Sequence, residues 1–484
     1  MSSTEQHLRE QFEQQGQGHV FQFWDQLDRE GRKNLIADLE QVDFRLTNKL
    51  VQEWVLNEPP PEKFDTIQPV PVIPVVNAQD PKAQEAFEAG AAALRAGRVG
   101  LFLVAGGQGT RLGFNGPKGA YPVGPLSERT LFEFHAEKIH NLQEQFACVL
   151  PWYIMVSEAN EQETTEFFDG HEYFGLGKEN ITFLTQRMVP CVDEHGKFML
   201  ERRDHLAMNP NGHGGSIPAM VEKGILADAR KRGIDLLSYF QVDNWAVKVA
   251  DPYFLGYHLL NNAEMSSKNH RKQQPREAVG VHCLCDGEYR VIEYSELGLY
   301  PQLLETDAMG RPLHYAGNPA IHILSVDFVS RVYDKFDEFP WHRAHKKVPY
   351  VNPKGEVVEP AKPNAYKFET FVFDALRFAK NPIALEIDPP GEYTPIKSFS
   401  GENSVEGAWE TMRGHWATWL EAAGAAIPSD PYGAPTIAIE ISPQFALTQE
   451  EFLQKTSRIQ WRAQKSILIL PNGRVLQDEE VPPQ

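Results

Sequence analysis

The sequence predicts an α/β protein: a mixed, mostly parallel sheet with helices on both faces, a helical region before it and a small α/β domain after it. Three observations carry that expectation. Buried-strand runs alternate with helical segments between about residues 98 and 242, a proline-rich connection precedes them, and a hairpin signal follows them after about residue 275.

Residues Glu5 to Glu53 are helical in character. Val20, Trp24 and Leu27, then Leu35, Leu39, Val42, Leu46 and Leu50, recur at three- and four-residue spacing, the pattern of a packing helical cap. Pro59-Pro60-Pro61, followed by Pro69, Pro71 and Pro74, excludes helix and central strand and reads as an extended connection. Asp80-Pro81 starts a helix ending near Gly97, with Asp as cap and Pro at the first position. Val99 to Val104 is a buried strand, Thr130 to Gln145 a helix and Cys148 to Val156 a second strand. A helical segment from Ile217 to Lys231 leads into a third, Ile234 to Val242. Asp286-Gly287 between Ala278–Cys285 and Glu288–Tyr294 marks a hairpin, a natural place for specificity residues. A helix from Val405 to Ala423, strand-like Pro435 to Ile441, and Ser466 to Leu470 with the turn Pro471-Asn472-Gly473 form a smaller C-terminal unit. The expected division is 1–75, 76–394 and 395–484, with no internal repeat.

A chain of 484 residues that is 42% hydrophobic buries a large core and exceeds the usual size of one domain. Its net charge of −19 argues against a general electrostatic grip on nucleic acid or on an anionic membrane, while leaving room for a local cationic cluster. Met1 opens a polar stretch without an apolar signal core, and no run of about 18 apolar residues occurs, so a soluble cytoplasmic protein is expected. Cys148, Cys191, Cys283 and Cys285 are read as reduced thiols. Cys283 and Cys285 share a strand face, but no second Cys/His pair has metal-ligand spacing.

The chemistry concentrates in Leu103-Val-Ala-Gly-Gly-Gln-Gly-Thr-Arg-Leu-Gly-Phe-Asn-Gly-Pro-Lys118, which leaves a buried strand and enters a glycine-rich loop. Glycine lets backbone N–H groups approach phosphate oxygens, and Arg111 and Lys118 bring charge that can neutralise a polyphosphate. A Walker loop is excluded, because no Gly-Lys here precedes Ser or Thr. The dinucleotide fingerprint also misses its last glycine: Leu112 stands there and Gly113 comes one position late, which leaves a nicotinamide dehydrogenase only as an alternative. His205, His213 and His314 suggest no triad, and no Gly-x-Ser-x-Gly elbow is present. Asp243 ends a buried strand, where a carboxylate can hold Mg²⁺; the competing reading is a cap or turn aspartate.

The long loop signature resembles that of the eukaryotic-type UDP-sugar pyrophosphorylases, most closely the UDP-N-acetylhexosamine (UDP-N-acetylglucosamine) pyrophosphorylases. The resemblance continues in order through Pro151-Trp-Tyr-Ile-Met155, Met188-Val-Pro190, Gly212-His-Gly-Gly215 and Val242-Asp-Asn244. Glu293-Tyr-Ser-Glu296, Ala316-Gly-Asn318, Thr394-Pro-Ile-Lys397 and Glu440-Ile-Ser-Pro443 extend it over roughly residues 80 to 445. It implies a Rossmann-like, nucleotidyltransferase A-like fold and an enzyme that uses UTP and a sugar 1-phosphate.

By that resemblance Ala105, Gly106 and Gly107 meet the uridine or its ribose, and Gln186 reads uracil through its amide. The Gly212 loop, with Gly214, lies near base and sugar. Arg111, Lys118 and Lys397 act on the phosphates, and Asp243 serves nucleotide and metal, with Mg²⁺ expected and Mn²⁺ as the alternative ion. Gly280, Glu293, Asn318 and Lys367 face the sugar. Three positions depart from the family pattern: His213 stands where Asn is usual, Arg187 replaces Gly, and Ser398 replaces Asn after Lys397.

The expected reaction is in-line attack of the sugar 1-phosphate on the UTP α-phosphorus, giving a UDP-sugar, foremost UDP-N-acetylglucosamine, and pyrophosphate. A UDP-glucose or UDP-galactose enzyme of the same family and a non-catalytic UDP-sugar-binding regulator are the alternatives. Retention of Arg111, Lys118, Asp243 and Lys397 argues for the enzyme. No nucleic-acid or membrane partner is expected, and the sequence fixes no oligomeric state.

Overall fold

The structure is a computed structural model describing residues 3–57, 60–401, 403–462 and 464–481. Met1 and Pro59, which entered the expectations above, lie outside the described residues. The chain divides into two units of non-contiguous segments: Met1–Lys63, Gln186–Ala219 and Lys335–Asp374 in the first, and Phe64–Thr185, Met220–Asp334 and Ala375–Gln484 in the second.

In the first unit the helices Ser3–Gln14, Arg29–Glu40 and Phe44–Val51 start where short polar side chains can cap them. Asp28 accepts from Gly31 N at 2.8 Å and Asp43 from Leu46 N at 3.0 Å. The apolar stripe meets one core: Val20, Trp24, Leu35, Leu39 and Leu50 are buried with Val189, Phe198, Leu206 and Phe368, while Leu27, Val42 and Leu46 pack partly against them.

The second unit is organised by one twelve-stranded sheet. Its strands are β1 (Ile67–Pro69), β2 (Val72–Ile73), β3 (Val99–Val104), β4 (Trp152–Val156), β5 (Ile181–Thr185) and β6 (Leu236–Gln241). They continue with β7 (Met265–Arg271), β8 (Gly280–Cys285), β9 (Glu288–Ile292), β10 (Ala316–Asn318), β11 (His322–Ser325) and β12 (Ile383–Ile387). The main path runs β1-β8-β10-β7-β11-β6-β3-β4-β5, with β9 on β8, and β12 joining β7 to β2. The sheet is mixed: β6, β3, β4 and β5 are parallel, and the β1-to-β6 side is antiparallel along the path. The proline-rich stretch supplies only the short strands β1 and β2, since proline cannot donate to a ladder.

The helices Pro81–Arg95, Leu131–Phe146 and Val405–Ala422 share one hydrophobic core with β3, β4 and β6. Asp80 caps the first, accepting from Lys82 N, and Thr130 with Glu133 forms a capping box on the second. The helical segment expected from Ile217 to Lys231 is two helices, Ser216–Glu222 and Ile225–Lys231, separated at Gly224, whose φ of +78° is left-handed. The hairpin forms as read: Asp286 and Gly287 have φ of 50° and 83°, and Cys285 pairs with Glu288.

The Pro81–Arg95 and Pro252–Leu260 helices approach through glycine. A Cβ on Gly256 would lie 1.6 Å from the Ala86 carbonyl oxygen, and one on Gly90 1.9 Å from that of Pro252. Gly256→Ala is therefore expected to force the helices apart at a cost of about 1–3 kcal/mol, seen as a lowered urea midpoint with an unchanged slope.

Candidate active site

The register of the parallel strands places the site. Val104 on β3 pairs with Gln241 on β6, so the segments following both strands leave the same carboxyl edge, where open α/β sheets collect ligands. The 105–118 loop closes on itself: Gly109 N donates to Gly116 O at 2.9 Å and Lys118 N to Gly107 O at 3.0 Å. Asn160 Nδ2 holds the Ala105 and Gly107 carbonyls at 2.9 and 3.3 Å. Gly107 itself is exposed, and a Cβ there would meet no atom within 4 Å. Glycine at 113 answers a φ of +70°.

Beneath this loop three predicted residues meet. Lys118, whose side chain is 11% exposed, donates to Asp243 Oδ2 at 3.1 Å. Lys397 contributes a second positive charge to Asp243 and donates to the Tyr393 hydroxyl oxygen. Burial alone would raise the Asp243 pKa, but the two lysines outweigh it and hold the carboxyl below its usual range. Burial would likewise discharge Lys397, yet Tyr393 and Asp243 keep its pKa above the ordinary lysine value. Arg111 does not join this cluster: its side chain is exposed, and its segment is tied to the 397–404 loop through Phe399 N donating to Arg111 O at 3.1 Å.

The segment that carries Asp243 is held from two sides. From the Leu131–Phe146 helix, His135 Nε2 meets Val242 O at 3.1 Å, and Lys138 donates to Trp245 O and to Val247 O, the latter at 3.0 Å. Burial pulls His135 down to about 3 and Lys138 down to about 7. From the 389–397 segment, Ile396 N donates to Asp243 O at 2.9 Å and Thr394 N to Asn244 Oδ1 at 2.9 Å. Asn244 Nδ2 donates to Glu392 O at 2.8 Å. Glu392 in turn binds Lys268 and, at 3.1 Å, Lys248, while Lys268 also donates to Asp251 at 2.6 Å.

Three of the predicted sugar residues also converge. Gly280 on β8 is the register partner of Asn318 on β10, and a Cβ on Gly280 would lie 3.3 Å from Glu293 Oε1. Asn318 Nδ2 is buried with no hydrogen-bond partner among the described residues, a donor free for a sugar oxygen. Tyr294, next to Glu293, lies near enough to Lys397 to act on its charge.

Gln186, Gly212, Gly214 and Lys367 belong to the first unit. Gln186 Nε2 donates to Gly212 O at 3.3 Å, and Gly214 N to Thr370 O at 2.8 Å. Gly212 has φ +80°, and a Cβ there would lie 2.3 Å from Thr370 O, so only glycine fits. The unusual His213 is buried and accepts from Val372 N through Nδ1 at 3.1 Å; burial, then His342, pushes its pKa down to about 4, which keeps it neutral. Lys367 lies near Cys191 and Glu201.

Sequence reasoning missed Tyr393, His270, Glu277, Lys268, Lys138 and Asn160. They are isolated polar residues whose spacing carries no motif, and only a buried polar strand such as Met265-Ser-Ser-Lys-Asn-His-Arg271 offered any hint.

A glycine loop above a lysine–carboxylate cluster, at the carboxyl ends of parallel strands, defines a phosphate-binding α/β protein of the nucleotide-binding kind. The chain belongs to the UTP–glucose-1-phosphate uridylyltransferase family, whose pattern it matches over residues 48–406. It is 36% identical to the UDP-N-acetylhexosamine pyrophosphorylase-like protein 1 of Homo sapiens, over 93% of this chain and 94% of that one. It is 33% identical to the UDP-N-acetylglucosamine pyrophosphorylase of Saccharomyces cerevisiae, over 93% and 96%. Among solved structures it is similar to the uridine diphosphate N-acetylglucosamine pyrophosphorylase of Trypanosoma brucei, with TM-score 0.79, 26% identity and 95% coverage of both chains. The putative UDP-N-acetylglucosamine pyrophosphorylase of Entamoeba histolytica gives TM-score 0.72 and 31% identity, covering 80% of this chain and 97% of that one.

Proposed function

We propose that this chain is a UTP:sugar-1-phosphate uridylyltransferase making UDP-N-acetylglucosamine and pyrophosphate. The observation that carries the reading is the meeting of Lys118, Asp243 and Lys397 beside the glycine loop in a member of this family. A phosphate oxygen of the sugar 1-phosphate attacks the UTP α-phosphorus in line. The new P–O bond forms as the bond to the bridging α–β oxygen breaks, and that oxygen leaves with pyrophosphate. Lys118 and Lys397 hold the phosphates and offset the charge that grows on them, and Arg111 adds a further cation from the exposed side of the loop. The backbone of Ala105, Gly106 and Gly107, with Gln186 and the Gly212 loop, holds the uridine. Asn318 Nδ2, Glu293, Gly214, Gly280 and Lys367 select the sugar.

Asp243 is the residue that would hold Mg²⁺, or Mn²⁺ in its place. Among the described residues no group of three His, Cys, Asp or Glu is gathered. That suits an ion bound by one carboxylate and the substrate phosphates rather than by an all-protein cage. When bound, such an ion neutralises phosphate charge. No helix of the described residues is long and apolar enough to cross a membrane, which supports a cytoplasmic location.

The test is pyrophosphate release from UTP and Mg²⁺ with N-acetylglucosamine, N-acetylgalactosamine, glucose and galactose 1-phosphates. Release fastest with N-acetylglucosamine 1-phosphate is expected. Release only with glucose or galactose 1-phosphate would reassign the sugar, and release with none would leave a non-catalytic binder.

A further inference from the structure

We propose that Tyr393 is a positioning residue for this reaction: its hydroxyl fixes the Lys397 ammonium beside Asp243, and its ring is itself fixed by the His270–Glu277 pair. The inference rests on the uridylyltransferase reading for its chemistry and on geometry for everything else.

A lysine stem has four rotatable bonds, and holding its end in one place costs on the order of 2 kcal/mol of rotamer entropy. Lys397 is half-buried and enters the site from a loop that begins at its own position, Lys397 N and Ser398 N both donating to Asn403 O. Two contacts aim its ammonium: the charge of Asp243 and the hydrogen bond it donates to Tyr393. An ammonium only donates, so the phenol oxygen is its acceptor and the phenol proton stays available for a second partner.

Tyr393 has little freedom of its own. Its N–H donates to Pro389 O at 2.7 Å. On one side Glu392 is locked into the ion pairs with Lys268 and Lys248, and on the other Thr394 is bonded to Asn244. The ring stacks on His270 with centroids 5.0 Å apart and planes 17° from parallel. His270 is held in turn: Nε2 lies 2.6 Å from Glu277 Oε1, whose other oxygen accepts from Gln273 N at 2.9 Å. Gly317 closes the back of the imidazole, for a Cβ there would sit 2.8 Å from His270 Cε1. The succession Glu277, His270, Tyr393, Lys397, Asp243 and Lys118 thus runs from the antiparallel side of the sheet to the glycine loop. Because Tyr393 touches Lys397 and no reacting atom, its role is to position and not to catalyse.

Tyr393→Phe keeps the ring and removes only the hydroxyl, so it tests the contact without opening a cavity. Turnover is measured with UTP and N-acetylglucosamine 1-phosphate, and affinity for inorganic pyrophosphate by calorimetry, in wild type, Tyr393→Phe, Lys397→Met and the double variant. In Tyr393→Phe we expect kcat to fall about tenfold with both KM values within about twofold, since an aim needed in the transition state is lost. Pyrophosphate affinity should fall about fivefold, the size of one hydrogen bond to a charged group. In the Lys397→Met background the same substitution should change neither quantity, because the two residues act as one unit. Equal losses in both backgrounds, or no loss in either, would overturn the proposal and leave Tyr393 a packing residue. Pyrophosphate coupling without turnover on any sugar phosphate would sink the uridylyltransferase reading while sustaining the positioning role. Failure of the wild type to bind pyrophosphate would end both.

Discussion

Lys118→Ala is expected to lower turnover on the order of 100- to 1,000-fold while the fold survives, the loss typical of removing a preorganised charge from a developing anion. The size follows from the setting. The Lys118 side chain is 11% exposed and its Asp243 partner 14%, so the ammonium acts where water screens little. The glycine loop anchors it further, because its own N–H is bonded to Gly107 O. Lys118→Arg should recover only part of the rate, since a planar fork cannot occupy the place of a compact ammonium.

The same substitution has a signature in pH. Asp243 has a folded-state pKa below its ordinary 3.8, so its contribution to stability is present above that value and lost as pH falls through the lowered folded one. Removing Lys118 takes away the first-named of the charges that lower it, though Lys397 remains. The melting temperature of Lys118→Ala should therefore lie below wild type at neutral pH, and the gap should narrow below about pH 4, the ordinary carboxylate range. Near-normal turnover in a folded variant would remove Lys118 from the mechanism.

Lys268→Met should be the most destabilising single change at this end of the sheet, by about 3–5 kcal/mol, because it strands two buried carboxylates. Lys268 is 1% exposed and bonds both Asp251 and Glu392; without it, Lys248 alone faces Glu392. Burial would lower the Lys268 pKa, but Asp251 and Glu392 raise it above 10.5, so its contribution holds below that value and is lost only as pH rises through the folded pKa. Glu392 runs the other way. Burial would raise it, but Lys248 and Lys268 hold it below 4.5, so its contribution is lost as pH falls through that lowered value.

The urea-midpoint difference between wild type and Lys268→Met is therefore expected to be widest across neutral pH and to shrink in acid. Adding Asp251→Asn and Glu392→Gln to Lys268→Met should recover part of the loss, because neutral amides are cheaper to bury than unpaired carboxylates. Failure of the triple variant to recover any stability would show that packing around the stem, not charge, makes Lys268 matter. Turnover should fall as well, since the 389–397 segment both carries Lys397 and pairs with residues 243–245.

Much of the architecture was legible before any coordinates. β3 spans Val99–Val104 as read, because a parallel strand covered on both faces is an unbroken apolar run. The Asp80-Pro81 and Thr130 helix starts, and the Asp286-Gly287 turn, were readable because each rests on the chemistry of one or two adjacent residues. β7, inside the sheet, was not anticipated. Its Ser266, Ser267, Lys268, Asn269 and His270 are all buried, and a polar strand reads as buried only when its partners are known. The acceptors for Ser266 and Lys268 are His258, Asp251 and Glu392, on other elements.

The site divides along the same line. By itself the sequence determined the α/β class, the glycine loop with its strand, and the candidate lysines, because each is a local pattern of neighbouring residue types. Only the tertiary structure decided that Lys118 reaches Asp243 across 125 residues of chain, that Lys397 shares that carboxylate, and that Arg111 stands apart in solvent. It also decided that Tyr393 and His270 stand behind Lys397. The reason is physical: backbone periodicity and turn chemistry act over a few residues. The burial of a charge is settled by which distant segments the folded sheet brings within a few ångströms to neutralise it.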